Sequence, residues 1–177
     1  MTKPVTSNER KGALRELFDR QCRPHADAQQ ASEAREPLTG LRILFAEDNP
    51  VIEKLVLELL ESRGHIARSV SDGRQAVAGV TCERFDAVLM DIQMPELDGI
   101  EATRCIRELE KYGGGHIPII ALTAHAMKAD QERCFAAGMD AYIAKLITVD
   151  RLFRIIDEQV RSHRSVPETD SAPLNLP

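Results

Sequence analysis

Five side chains of types that do phosphoryl chemistry each follow an apolar run of strand length. Glu47 and Asp48 close LRILFAED, Asp91 closes VLMD, Thr123 closes IPIIALT, and Lys145 follows AYIA. If those runs are strands pointing the same way in one sheet, all five gather at one edge. Three clustered carboxylates repel one another and raise each other's pKa unless a positive group sits among them. A hard divalent cation is the simplest remedy. Magnesium takes oxygen ligands, keeps several waters, and is held by one or two carboxylates together with a phosphate oxygen. A carboxylate beside such an ion can attack phosphorus, giving an aspartyl phosphate. Lys145 would neutralise charge on the transferred group, and Thr123 would donate a hydrogen bond to one of its oxygens. Singly, each residue has a plainer use: an Asp as a turn or cap residue, a Lys as solvated surface, a Thr as strand packing. The weight lies in their convergence.

The elements that must position them alternate along the chain. After LRILFA comes NPVIEKLVLELLESRG, with Asn49 as N-cap, Pro50 at N1, Gly64 beyond the end, and Ile52, Leu55, Val56, Leu59 and Leu60 on one face. HIARSV is strand-like, and residues 72–80 carry Ala76, Val77 and Val80 as a helical face. FDAVLM reads as a strand buried on both sides. Ala102, Cys105, Ile106 and Leu109 predict a third helix, ended by KYGGG. IPIIALT, AHAMKADQERCFAAG, AYIA and TVDRLFRIIDEQV supply strand, helix, strand and helix, the last turning Val149, Leu152, Phe153, Ile156 and Val160 inward. Strict alternation with short connections implies parallel strands and right-handed crossovers, hence a doubly wound α/β sheet with helices on both faces. Ligands of such sheets sit beyond the carboxyl ends of the strands.

The 177 residues fit one domain with extra segments, and 43% hydrophobic with 29% charged residues is a soluble globular composition. Aromatics make up only 4%, so aliphatic packing must dominate. A net charge of -5 and a pI near 5.6 give no nucleic-acid footprint. Cys22, Cys82, Cys105 and Cys134 are widely spaced and form neither a disulfide framework nor a zinc motif. They read as reduced thiols, with Cys105 and Cys134 as small apolar helix-face residues. No apolar stretch spans a bilayer and no signal-peptide core follows the start, so the expected location is cytoplasmic. Residues 1–40 read as an N-terminal extension: a short helix around ALRELFDRQC, then an Ala-rich charged linker. That helix is either a docking element or a loosely ordered lead-in. Residues 163–177, with three prolines in SVPETDSAPLNLP, read as a disordered tail.

LRILFAEDNPVIEKL, VLMDIQMPELDGIEATRCIR, IPIIALTAHAM and AGMDAYIAK together resemble the receiver domain of two-component response regulators, particularly the type attached to hybrid histidine kinases. The resemblance covers residues 41–162. It implies a flavodoxin-like five-stranded sheet of order 2-1-3-4-5. It makes Asp91 the phospho-acceptor and Glu47 and Asp48 the magnesium-binding acids, Asp48 foremost. Gln93 falls where the family lends a backbone carbonyl to the metal. Thr123 and Tyr142 match the hydroxyl and aromatic switch pair, and Lys145 the phosphate-binding lysine. The implied partners are a histidine kinase, a histidine phosphotransfer protein, or both. The implied activity is transfer from a phosphohistidine to Asp91 and its own hydrolysis, without a kinase domain and without nucleic-acid or membrane binding.

Two departures from the family pattern bear on this. The family has Lys-Pro, commonly cis, where this chain has Lys145-Leu146. A cis bond before a non-proline residue costs about 2.5 to 4 kcal/mol, so a trans loop and a displaced Lys145 are expected, with weaker phosphorylation or switching. Ile52 stands where kinase-attached receivers often carry Asn, which would alter partner docking. The competing reading is a phosphorylation-independent interaction module that keeps the fold. A phosphatase of the haloacid-dehalogenase type would need a second Asp where Gln93 stands.

Overall fold

A computed structural model describes residues 36–113, 115–124, 128–145 and 148–164. The apolar runs form β1 (Arg42–Ala46), β2 (Ile66–Val70), β3 (Ala87–Asp91), β4 (Ile119–Thr123) and β5 (Ala141–Ala144). Between and after them lie α1 (Pro50–Ser62), α2 (Gly73–Cys82), α3 (Gly99–Gly113), α4 (Lys128–Ala137) and α5 (Val149–Arg164). All strand pairs are parallel and the order is β2-β1-β3-β4-β5, the flavodoxin-like arrangement that the motif resemblance implied. The chain reverses its direction of travel across the sheet at β1, so the crevice of the fold lies between the carboxyl ends of β1 and β3.

Strand alternation divides the interior into two cores. Ile43, Phe45, Leu89, Ile120, Leu122 and Ile143 face α1 and α5, where Leu60, Leu152, Phe153, Ile156 and Val160 meet them. Leu44, Ala46, Val88, Met90 and Ala121 face the opposite way, against α2, α3 and α4 through Ala76, Ala102, Ile106 and Cys134. β3 and β4 are buried on both sides along their whole length, which is why they read as unbroken apolar runs.

Local signals set the boundaries. The Asn49 side chain accepts from the Val51 amide at 3.0 Å, and Pro50 occupies the first turn of α1. The helix stops at Gly64, whose φ of 78° is open to glycine without strain. There the Gly64 amide donates to Glu61 at 2.9 Å and the His65 amide to Leu60 at 3.1 Å, the paired bonds of a Schellman stop. Leu38, before β1, packs on the α1/α5 core, and its amide donates to Asp157 of α5 at 3.3 Å.

Some expected inward faces are rotated. Leu55 is 57% exposed, because the buried stripe of α1 runs through Ile52, Val56, Leu59 and Leu60 and leaves Leu55 on the flank. In α3, Cys105 and Leu109 are exposed, and Thr103 takes the interior place. Burial is open to Thr103 because its hydroxyl donates to the Gly99 carbonyl at 2.7 Å. Val149, at the first position of α5, lies outside the packed stripe. Ile52 packs partly buried against the core, on the face expected of it. Residues 163 and 164, expected at the start of the disordered tail 163–177, close α5; the rest of that tail, the expected helix within residues 1–40 and Cys22 lie outside the described residues.

Candidate functional site

The carboxyl edge of the sheet brings the acids together. The Glu47 amide continues the β1 ladder by donating to the Val70 carbonyl at 3.0 Å, so the side chain is carried inward to 1% exposure. Asp48, one residue on, is exposed at the mouth. Asp91 ends β3 and is 3% exposed. Glu47, Asp48 and Asp91 each place one carboxylate oxygen within 4.8 Å of the others.

Lys145 closes the group from the end of β5. Its backbone amide donates to the Thr123 carbonyl at 2.7 Å, extending the β4 pairing by one residue. Its Nζ donates to Asp91 Oδ2 at 2.7 Å and to Glu47 Oε1 at 3.1 Å. The displacement expected from Lys145-Leu146 does not occur at the ammonium: Lys145 reaches both buried acids. The reason is that the β-ladder bond to Thr123 fixes the lysine backbone before the chain enters the loop. Leu146 and its peptide bond lie outside the described residues.

Burial raises the Glu47 pKa, and the nearby charge of Asp91 adds to the rise; Lys145 and the Asn49 amide offset them only in part. For Lys145, burial opposes the charged form, but hydrogen bonds and charge from Asp91 and Glu47 outweigh it and raise the pKa. Glu47 Oε2 is buried and lies 2.9 Å from Nζ in the ion pair. Three carboxylates gathered around one ammonium fit a hard dication with oxygen ligands. Glu47, Asp48 and Asp91 could therefore hold magnesium.

The loop after β3 is built around Asp91. The Gln93 amide donates to Asp91 Oδ1 at 3.2 Å, which places Gln93 beside the acids. The Gly99 amide donates to the Ile92 carbonyl at 3.0 Å, and a Cβ on Gly99 would lie 2.0 Å from the Asp91 carbonyl oxygen. Only glycine lets the start of α3 approach the acceptor strand so closely. Thr123 is 6% exposed at the end of β4, one residue beyond Leu122, which pairs with Ile143. Tyr142 is half-buried on β5 against the α4-side core, and strand parity puts Thr123 and Tyr142 on that same face of the sheet. Asp48, expected foremost among the metal acids, stands exposed at the mouth, while Glu47 is wholly buried and ion-paired. Its signal was available, since Glu47 directly continues an unbroken apolar strand.

The response regulator receiver domain model matches residues 43–157, so the chain belongs to that family. A hybrid signal transduction histidine kinase I of Dictyostelium discoideum is 45% identical over 124 residues, which are 67% of this chain and 7% of that protein. The sensor histidine kinase GacS of Pseudomonas protegens is 34% identical over 87% of this chain and 16% of its own length. The chain thus spans a small part of these relatives. Among solved structures, the receiver domain of sensor histidine kinase PA1611 from Pseudomonas aeruginosa is 43% identical, with a TM-score of 0.64 over 70% of this chain and 99% of that one. That domain was crystallised with a magnesium ion coordinated in its active-site cleft. No described helix is long and apolar enough to cross a membrane.

Proposed function

We propose that this receiver domain accepts a phosphoryl group on Asp91 from a phosphohistidine of a partner protein and uses it to switch protein contacts in a cytoplasmic phosphorelay. An Asp91 carboxylate oxygen attacks phosphorus, the new O–P bond forms as the N–P bond breaks, and the partner imidazole leaves with the electron pair. Lys145 is placed to follow the charge onto the phosphoryl oxygens, and the Thr123 hydroxyl to donate to one of them. Bound magnesium would supply further neutralisation of those oxygens, held by Glu47, Asp48, Asp91 and the Gln93 carbonyl. The Tyr142 ring would turn inward once Thr123 engages the phosphate, shifting the population of the face formed by α4, β5 and α5.

The observation that carries this reading is the Lys145 ammonium bridging Asp91 and Glu47. The magnesium-bearing receiver of PA1611 supports the metal, and the hybrid-kinase relatives support a histidine kinase or phosphotransfer domain as partner. Incubation with a phosphohistidine-charged phosphotransfer domain should move label to the chain only when magnesium is present. Binding of that domain without any transfer would favour a phosphorylation-independent interaction module instead.

A further inference from the structure

The opposite edge of the sheet, where the strands begin, carries a second cluster of a different chemistry. His116 precedes β4, Asp140 precedes β5, and His163 lies in the last turn of α5. The two histidines border an open cleft between the ends of α3 and α5. Asp140 divides its oxygens. Oδ2 accepts from Arg107 Nη2 at 2.7 Å and from the Ile119 amide at 2.7 Å, so it is fully engaged. Oδ1 faces His116 Nε2 at 2.8 Å and His163 Nε2 at 3.5 Å.

The outer nitrogens have their own partners. His163 Nδ1 lies 2.7 Å from the Gln159 carbonyl, which can only accept, so Nδ1 carries a hydrogen and Nε2 is the nitrogen that faces Asp140. His116 Nδ1 stands 3.3 Å from Glu110 Oε2, and Glu110 is itself fixed by Arg107 at 2.8 Å. An outer nitrogen on a carbonyl or carboxylate, with the inner nitrogen on a shared centre, is the arrangement that orients metal-bound histidines.

We propose that His116, Asp140 and His163 form a site for a borderline transition-metal dication, zinc by ligand type, open to water in its remaining position. Zinc–nitrogen bonds of about 2.0 to 2.1 Å in a tetrahedron put neighbouring ligand atoms roughly 3.3 Å apart. The separations of 2.8 and 3.5 Å to Asp140 bracket that figure, and all three ligand atoms lie within 4.8 Å of one another. The two imidazoles now stack with centroids 4.8 Å apart and planes 13° apart. A shared ion must lie near both ring planes, so one ring turns on binding; the His116 side chain, 41% exposed, has room to do so. Magnesium is not the ion, since it prefers oxygen and two of the three ligands are nitrogen. Asp140 and Glu110 both pair with Arg107, which holds the two carboxylates in place beside the histidines. The bound ion would tie the end of α5 to the entrances of β4 and β5, at the far edge from Asp91.

Titration calorimetry of tag-free protein with zinc chloride, in buffer already saturating in magnesium, tests this. The expected result is one zinc per chain. Affinity should weaken about tenfold or more in His116→Asn and in His163→Gln separately, and stay unchanged in Asp91→Asn, with circular dichroism confirming that each variant folds. No binding with zinc in large excess would overturn the proposal, as would wild-type affinity in the His116→Asn/His163→Gln double variant.

Discussion

At the scale of residues, the site is an electrostatic problem with one internal cation and three acids. Lys145 pairs with Asp91 and Glu47, one positive charge against three gathered carboxylates. Under the proposed function the same ammonium that steadies the resting acids also neutralises the phosphoryl oxygens, so its removal should act on the reaction directly. Lys145→Met is expected to slow labelling by a small phosphodonor by roughly 10²-fold, the scale of losing one charge-stabilising donor. Time-resolved mass spectrometry at fixed magnesium reads this, and an unchanged rate would remove Lys145 from the chemistry. Asp91 and Thr123 were legible as candidates because each terminates a run whose burial on both sides is written in consecutive apolar letters, and Lys145 because it follows the short edge strand AYIA. The His116, Asp140 and His163 cluster was not legible: its members come from two separate loops and a helix end far apart in the chain, and only the fold assembles them.

At the scale of elements, the join of α1 to β2 couples a helix stop to a buried imidazole. His65 follows Gly64 in the Schellman turn, is 5% exposed, and stacks on Phe153 of α5 with centroids 5.7 Å apart. Its Nδ1 makes no hydrogen bond, and burial pushes its pKa below 6.5, with Arg63 adding to the fall and Asp157 opposing it. The unfolded chain therefore takes up this proton more readily than the folded one. Stability from this group is complete above pH 6.5 and is lost as pH falls from there through the lowered folded value. Urea unfolding at a series of pH values should show that slope in the wild type and a flatter one in His65→Phe, which keeps the stack on Phe153. Equal slopes would separate His65 from the pH dependence. Helix faces were the least legible feature at this scale. Leu55, Cys105, Leu109 and Val149 are apolar by type, but the angular width of the packed stripe and the self-satisfied hydroxyl of Thr103 decide which side faces in.

At the scale of the whole molecule, one parallel sheet presents two chemically distinct edges. Carboxylates and a lysine gather where the strands end, and two imidazoles gather around a carboxylate where they begin. The strand order was implied by the motif resemblance, while alternation alone gave a parallel sheet without its order; the chain reversal at β1 is what turns that order into an acidic crevice. The two cores, on either face, hold both edges in a fixed relation through β3 and β4. The central claim is that this crevice makes Asp91 able to accept phosphorus. Intact-mass and peptide-mapping analysis after treatment with a small phosphodonor and magnesium measures it most directly. The expected result is one added phosphoryl group in the wild type, on the peptide that contains Asp91, and none in Asp91→Asn. An equal gain in both proteins, or a gain independent of magnesium, would contradict it.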